Sequence, residues 1–194
     1  MTTQVLEQPK QIFVQTGVTW AQFKAIQHSF EHIPNVRLTY CEGELEILGI
    51  SKPHEAIASI LALLLGAYFE TMEIEFFPSG SYSQIVEGIT EYQSDLSYCL
   101  GTDKDRPDLC IEIIISSGST KKLRKYKRMG VPEVWFWKKG KFTLHCLQGE
   151  HYIQVEASEV LPGIDLTLLC QCMTMPSKLA AIKAFRKALE TTNF

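Results

Sequence analysis

The strand-like run 109–115, Leu-Cys-Ile-Glu-Ile-Ile-Ile, constrains this chain more than any other segment. A continuous apolar run of this length belongs inside a sheet, yet an acid, Glu112, stands in its middle. A carboxylate there is costly unless a cation or a hydrogen-bond donor meets it. A second strand-like run, 96–100, precedes it and opens directly after Asp95. The basic segment Lys121-Lys-Leu-Arg-Lys-Tyr-Lys-Arg128 follows, and then another strand-like run at 133–137. Acid, acid, lysine in that order is an arrangement able to hold a divalent cation beside a phosphate.

A chain of 194 residues suffices for one domain with a real core. Its 45% hydrophobic and 21% charged residues are the ordinary balance of a globular protein. A formal charge of −3 exerts no global pull on nucleic acid, so such binding needs a local patch. The longest apolar run, 57–69, carries Gly66 and has the length of a buried helix rather than a membrane span. The N-terminus has neither the positive start nor the apolar centre of a signal peptide. A cytoplasmic protein is the expectation. Of the six cysteines, Cys41, Cys99, Cys110 and Cys146 sit in apolar strand-like runs. Cys170-Gln-Cys172 is tighter than the usual C-x-x-C spacing, so all six are expected to be reduced core residues.

Residues 1–17 are polar and aperiodic and predict a flexible arm; 18–194 predict a single domain. Thr19 caps a helix over 19–30, with Trp20, Phe23, Ile26 and Phe30 at helical spacing. Glu42-Gly43 turns a hairpin between 36–41 and 44–48. Pro53 opens a helix to about 71. Strands are expected at 73–77, near 83–86, and at 96–100, 109–115, 133–137, 142–147 and 152–156. A helix is expected from 119 or 120 to 129, closed by Gly130, and another over 176–190. The class is α/β, or α+β, around one mixed β-sheet flanked by helices.

Side chains two apart in a strand share a face. Asp108, Cys110 and Glu112 therefore point one way, and Leu109, Ile111 and Ile113 the other. If 96–100 pairs with 109–115, Asp95 and Glu112 converge, and the two carboxylates suit Mg²⁺ or Mn²⁺. Lys121 and Lys122, at the first turn of the next helix, supply an ammonium for a phosphate. A second reading stands beside this one: Glu112 makes a buried pair with a lysine or arginine, and Asp108 caps a turn after Pro107. The metal reading requires both acids on one side of the sheet, open to solvent and not closed off by an arginine. Lys122 and Tyr126 are four apart and share a helix face. Lys121, Arg124 and Lys125 are candidate phosphate contacts; the alternative is a solvated outer face with Leu123, Tyr126 and Met129 inward. His54, with Glu44 and Glu46, is a candidate outer wall of the site, unless it only serves the helix start.

These residues resemble a known family. Tyr40-Cys-Glu-Gly-Glu-Leu-Glu-Ile, His54, Gly80-Ser81, Asp95-Leu-Ser-Tyr, Pro107-Asp-Leu-x-Ile-Glu-Ile, Lys122-Leu-x-x-Tyr126 and Gly130-Val-Pro-Glu-Val-Trp135 look like the Uma-two family over roughly 18–170. The resemblance implies the PD-(D/E)XK, restriction-endonuclease-like core. In that pattern Asp95 takes the aspartate of the first element and Glu112 the acid of the second, as the metal ligands. Ile114 stands where the motif's lysine would be, and Lys122 matches the family's displaced lysine. Glu44 or Glu46 matches an additional acid. Ser94 departs from the residue usual before the aspartate, and Lys121 from the acid usual before the matching lysine. Pro107-Asp108 is a decoy, because Asp108 and Glu112 would lie ~13 Å apart along one strand.

The function expected from this is a Mg²⁺-dependent (or Mn²⁺-dependent) endonuclease hydrolysing DNA phosphodiester bonds. One alternative is a catalytically inactive module of the same fold for nucleic-acid binding or assembly; another is an enzyme on a different phosphate ester. DNA is the expected partner. A homodimer fits two-strand cutting, with the apolar stretch 161–175 and the final helix as candidate interface.

Overall fold

The computed structural model describes residues 12–80, 82–115 and 122–192. The chain opens with β1 (Ile12–Gln15), α1 (Trp20–Ser29) and a hairpin of β2 (Val36–Cys41) and β3 (Glu44–Gly49). α2 (Lys52–Thr71) leads to the short strands β4 (Phe76–Pro78), β5 (Gln84–Val86), β6 (Thr90–Tyr92) and β7 (Leu96–Leu100). β8 (Leu109–Ile114), α3 (Leu123–Met129) and β9 (Glu133–Lys138) come next. β10 (Lys141–Gln148), β11 (His151–Val155), α4 (Leu166–Thr174) and α5 (Lys178–Thr192) complete the chain.

The class is mixed α/β as expected, but the strands form two sheets rather than one. The first is antiparallel, in the order β1-β3-β2-β6-β5. The second is mixed, in the order β11-β10-β9-β8-β7-β4, with β8 and β9 parallel. Part of the segment expected to be an arm is the edge strand β1, which pairs with β3. β6 links the hairpin to β5 and has no signal in the sequence, because three residues are too few to show a period.

Local chemistry explains most boundaries. Thr19 Oγ1 accepts from the Gln22 N–H at 3.3 Å, and Gln22 Oε1 accepts from the Thr19 N–H at 2.8 Å, a reciprocal cap for α1. The β2–β3 turn holds Glu42 and Gly43 at φ 49° and 85°, the left-handed pair a two-residue hairpin needs. Gly130, at φ 68°, stops α3 and sends its N–H back to the carbonyls of Lys127 and Tyr126.

β8 is buried along its whole length, between β7 and β9. Its odd-numbered side chains, Leu109, Ile111 and Ile113, share a core with Leu61, Leu64 and Leu65 of α2 and with Leu169 and Phe185. Its even-numbered Cys110 and Ile114 belong to a smaller core with Tyr92, Tyr126, Val134 and Phe136. Each such aliphatic side chain stabilises the fold by roughly 1.5–3 kcal/mol. The stretch 161–175 contains α4, with Leu169, Cys172 and Met173 buried inside the chain, so it is not the free apolar interface expected. Glu133, wholly buried in β9, accepts from Trp135 Nε1, from Ser158 Oγ at 2.7 Å and from the Glu159 and Val160 N–H groups at 2.8 and 3.2 Å. It fastens the segment after β11 to the sheet. All six cysteines are free thiols. Among the described residues, no helix is long and apolar enough to cross a membrane.

Candidate active site

β7 and β8 pair antiparallel, with Leu96 opposite Ile111 and Ser97 opposite Cys110. The Asp95 N–H continues the ladder to the Ile111 carbonyl at 3.2 Å. One step further along the same register, Asp95 stands opposite Glu112, so both carboxylates project from one side of the sheet. The pairing of these two strands is the one expected from the sequence.

The two acids are not bare. Asp95 Oδ1 accepts from Arg37 Nη1, and Oδ2 lies 2.9 Å from His54 Nε2 and 2.6 Å from the Ile113 nitrogen that donates to it. Burial pushes the Asp95 carboxyl up. The hydrogen bond with His54 and the charge of Arg37 outweigh that, even against the neighbouring Glu112, and hold it below the usual range. Glu112 Oε2 accepts from Lys122 Nζ at 2.8 Å, while Oε1 takes Lys125 Nζ at 2.9 Å and the Tyr126 hydroxyl. Burial again opposes ionisation, and the two ammonium charges overwhelm it, leaving Glu112 far below an ordinary carboxyl. Two lysines share one carboxylate, so they are not equally compensated. Burial outweighs the pull of Glu112 at Lys125, whose ammonium is lowered, while at Lys122 Glu112 wins and the ammonium is raised.

The antiparallel sheet supplies the other wall. In the β2–β3 register Arg37, Thr39 and Cys41 share a face with Glu44, Glu46 and Leu48. The opposite face, with Leu38, Tyr40 and Leu45, packs on Phe23 of α1. Glu46 lies close enough to raise both Lys122 and Lys125 electrostatically. Glu44 is 3.6 Å from Arg124. His54 enters from the first turn of α2 and also meets Glu55 Oε1 at 3.1 Å.

The predicted residues are therefore brought together unevenly. Asp95 with His54 and Glu112 with Lys122 and Tyr126 form two bonded groups set opposite each other by the strand register, with Glu46 beside the lysines. Lys125 is not on the outer face as expected; it is buried against Glu112 and over the rings of Tyr92 and Tyr126. The reason is helical spacing: Lys125 is three residues after Lys122 and adjacent to Tyr126, on the stripe that faces the sheet. Arg124 faces outward but is matched by Glu42 and Glu44 at 3.6 Å. Lys127 and Arg128 likewise meet Glu150 and Glu42, so every basic residue in 122–128 has an acidic partner. Lys121 and the expected helix start at 119–120 lie outside the described residues. Asp108 is a turn residue, bonded to the Leu100 N–H at 2.7 Å and to Lys104 at 2.6 Å. Arg37 is the residue that sequence reasoning missed. The expectation that the acids stand open to solvent, clear of any arginine, does not hold: the Asp95 side chain is 2% exposed and closed off by Arg37.

A family model named Uma2, described as "Putative restriction endonuclease", matches residues 20–174. The chain belongs to that family. The matched span contains both acids, His54, Lys122, Tyr126 and Arg37. Among solved structures, the chain is similar to a "putative nuclease belonging to DUF820" from Anabaena variabilis ATCC 29413. The identity is 15% and the TM-score 0.49, over 89% of this chain and 99% of that one. No curated protein matches the chain.

In this closed arrangement the pair fails the condition set for metal binding, and a divalent ion fits its oxygen donors only once Arg37 has left Asp95. The acids offer only oxygen, and Mg²⁺ is commonly held by one or two carboxylates together with waters and substrate oxygens. Among the described residues there is no cluster of three or more His, Cys, Asp or Glu able to hold a metal by themselves. Any such ion would therefore draw the rest of its ligands from water and substrate.

Proposed function

We propose that this Uma2 protein is a metal-dependent endonuclease acting on DNA, with Asp95 and Glu112 as the ion-binding pair and Lys122 as the phosphate-facing ammonium. The observation that carries this is the register: it sets the two carboxylates opposite each other on adjacent strands, with Lys122 on one of them. An ion held there would supply Lewis-acid stabilisation of charge on the phosphate and a more acidic water. The chain's own residues do the positioning. Tyr126 and Lys125 fix the Glu112 carboxylate by its Oε1. His54 and the Ile113 N–H fix the Asp95 carboxylate by its Oδ2. Lys122 holds Oε2 of Glu112 and keeps 19% of its side chain exposed, so its ammonium can reach a phosphate oxygen as well.

The test is nicking of a supercoiled plasmid with Mg²⁺ or Mn²⁺, with and without chelator. The wild-type chain is expected to cut only with the ion present. Asp95→Asn should abolish cutting, and Lys122→Met should reduce it by about 10²–10³-fold, as for loss of one transition-state donor. Cutting that survives Asp95→Asn rejects this site.

A second reading, an inactive nucleic-acid-binding module, is favoured by one observation. Both carboxylates are already neutralised by Arg37, Lys122 and Lys125. Duplex binding without ion binding or cutting would establish it.

A further inference from the structure

We propose that Arg37 is a resident counter-cation of the acid pair: it holds Oδ1 of Asp95, yields it when a divalent ion enters, and transfers its guanidinium to a phosphate oxygen of the substrate. This rests on the endonuclease reading above. Each carboxylate oxygen has two acceptor positions. Oδ2 of Asp95 is filled by His54 and the Ile113 N–H. Oδ1 has Arg37 as its partner, so an ion approaching Asp95 arrives where the guanidinium sits.

Arg37 is poorly fitted to a purely structural role. It comes from β2 in the other sheet and meets Asp95 through Nη1, while its buried Nε has no acceptor among the described residues. A guanidinium carries five donors in a planar fork suited to two oxygens at once. A phosphodiester offers such a pair; Asp95, with Oδ2 already filled, does not.

Charge points the same way. Asp95, Glu112 and the neighbouring Glu46 carry three negative charges against three positive ones on Arg37, Lys122 and Lys125. Adding a divalent ion with nothing displaced would leave a large positive excess in a closed space. Release of Arg37 from Asp95, with arrival of an anionic phosphate, removes that conflict. Room exists for the exchange. A cavity of ≈ 350 Å³ beside Asp95 is lined by Arg37, Glu55, Ser59 and Gln93, and Glu112 is not part of its wall.

The test is calorimetric titration of the full chain with Mn²⁺, comparing wild type, Arg37→Met and Arg37→Lys. A competitor that vacates its site about one-tenth of the time weakens apparent ion affinity about tenfold. Arg37→Met is therefore expected to bind Mn²⁺ about tenfold tighter, with Arg37→Lys between the two. With Ca²⁺ as the ion, Arg37→Met is expected to bind a short DNA duplex several-fold more weakly. Unchanged or weaker Mn²⁺ binding by a folded Arg37→Met makes Arg37 a structural pin and overturns the inference. If neither substitution folds, the ¹H–¹⁵Nε signal of Arg37 in the wild-type chain decides. A shift on Mg²⁺ saturation supports release, and an unmoved signal overturns it. Wild-type ion binding and cutting with no tightening in Arg37→Met sinks this inference alone. No ion binding by either form sinks the endonuclease reading with it.

Discussion

Replacing Glu112 with glutamine is the most informative single perturbation of this protein. The carboxylate is buried and serves Lys122 at 2.8 Å, Lys125 at 2.9 Å and the Tyr126 hydroxyl. Glutamine keeps the shape, removes the charge and turns an amide donor toward groups that are themselves donors. Lys122, with 19% of its side chain exposed, can turn to water; Lys125, at 6%, cannot. Most of the cost therefore falls on one stranded ammonium. Breaking a buried pair from one side typically costs about 3–5 kcal/mol. Loss of the Lys125 proton caps it, since bringing a lysine from pKa ~10.4 to neutrality at pH 7 costs about 4.6 kcal/mol. The expected loss is thus about 3–5 kcal/mol, a large share of the roughly 5–15 kcal/mol of a typical domain. Urea unfolding followed by circular dichroism at pH 7 measures it directly. Adding Lys125→Met to Glu112→Gln should restore about 2 kcal/mol, because the stranded charge is gone. A loss below about 1 kcal/mol, or a further fall on adding Lys125→Met, would refute this account of the cluster. Cleavage assays on Glu112→Gln are meaningful only under conditions where it remains folded.

Three further outcomes follow from the same contacts. Asp95 and Glu112 have native pKa values below their unfolded ones, so their stabilisation is complete above about pH 5 and is lost as pH falls toward the native values. The urea midpoint should drop steeply below about pH 4, and less steeply in Asp95→Asn; equal slopes would contradict the pairing. Glu133→Ala strands the Trp135, Ser158, Glu159 and Val160 donors and should cost more than about 3 kcal/mol, with faster amide exchange at 159 and 160. Unchanged exchange there would show that Glu133 does not hold that segment. Gly130→Ala places a Cβ 3.1 Å from Arg106 Nη1 at a φ of +68° and should cost about 1–2 kcal/mol in chemical denaturation; a neutral result would mean the α3 terminus relaxes freely.

The sequence made some of this legible and hid the rest for identifiable reasons. α1, α2 and the β2–β3 hairpin are readable because each carries a long period or a defined cap and turn. β7, β8 and β9 are readable because apolar runs are bounded by turn residues. The split into two sheets is not, because β6 joins the hairpin by a two-residue ladder that no local pattern announces. α4 hides inside an apolar stretch whose residues suit a helix core or a strand equally. At the site, Asp95 and Glu112 are visible as acids on strands, and the register alone brings them opposite. Arg37 is invisible for the opposite reason. Its partner is 58 residues away in another sheet, so only tertiary packing creates the contact. A weak signal did exist: the hairpin has one apolar face and one bearing Arg37, Glu44 and Glu46, and a charged face on an interior hairpin needs partners. Lys125 hides within a basic run, where composition suggests a solvated face and only its phase with Tyr126 points inward.

The central claim is that Asp95 and Glu112 share one divalent ion. Anomalous scattering from a crystal soaked in Mn²⁺ tests it most directly. The account predicts a single peak within ligating distance of an Asp95 and a Glu112 oxygen, with the Arg37 guanidinium withdrawn from Asp95. A peak bound elsewhere, or none at saturating Mn²⁺ with the Arg37–Asp95 contact intact, would contradict it.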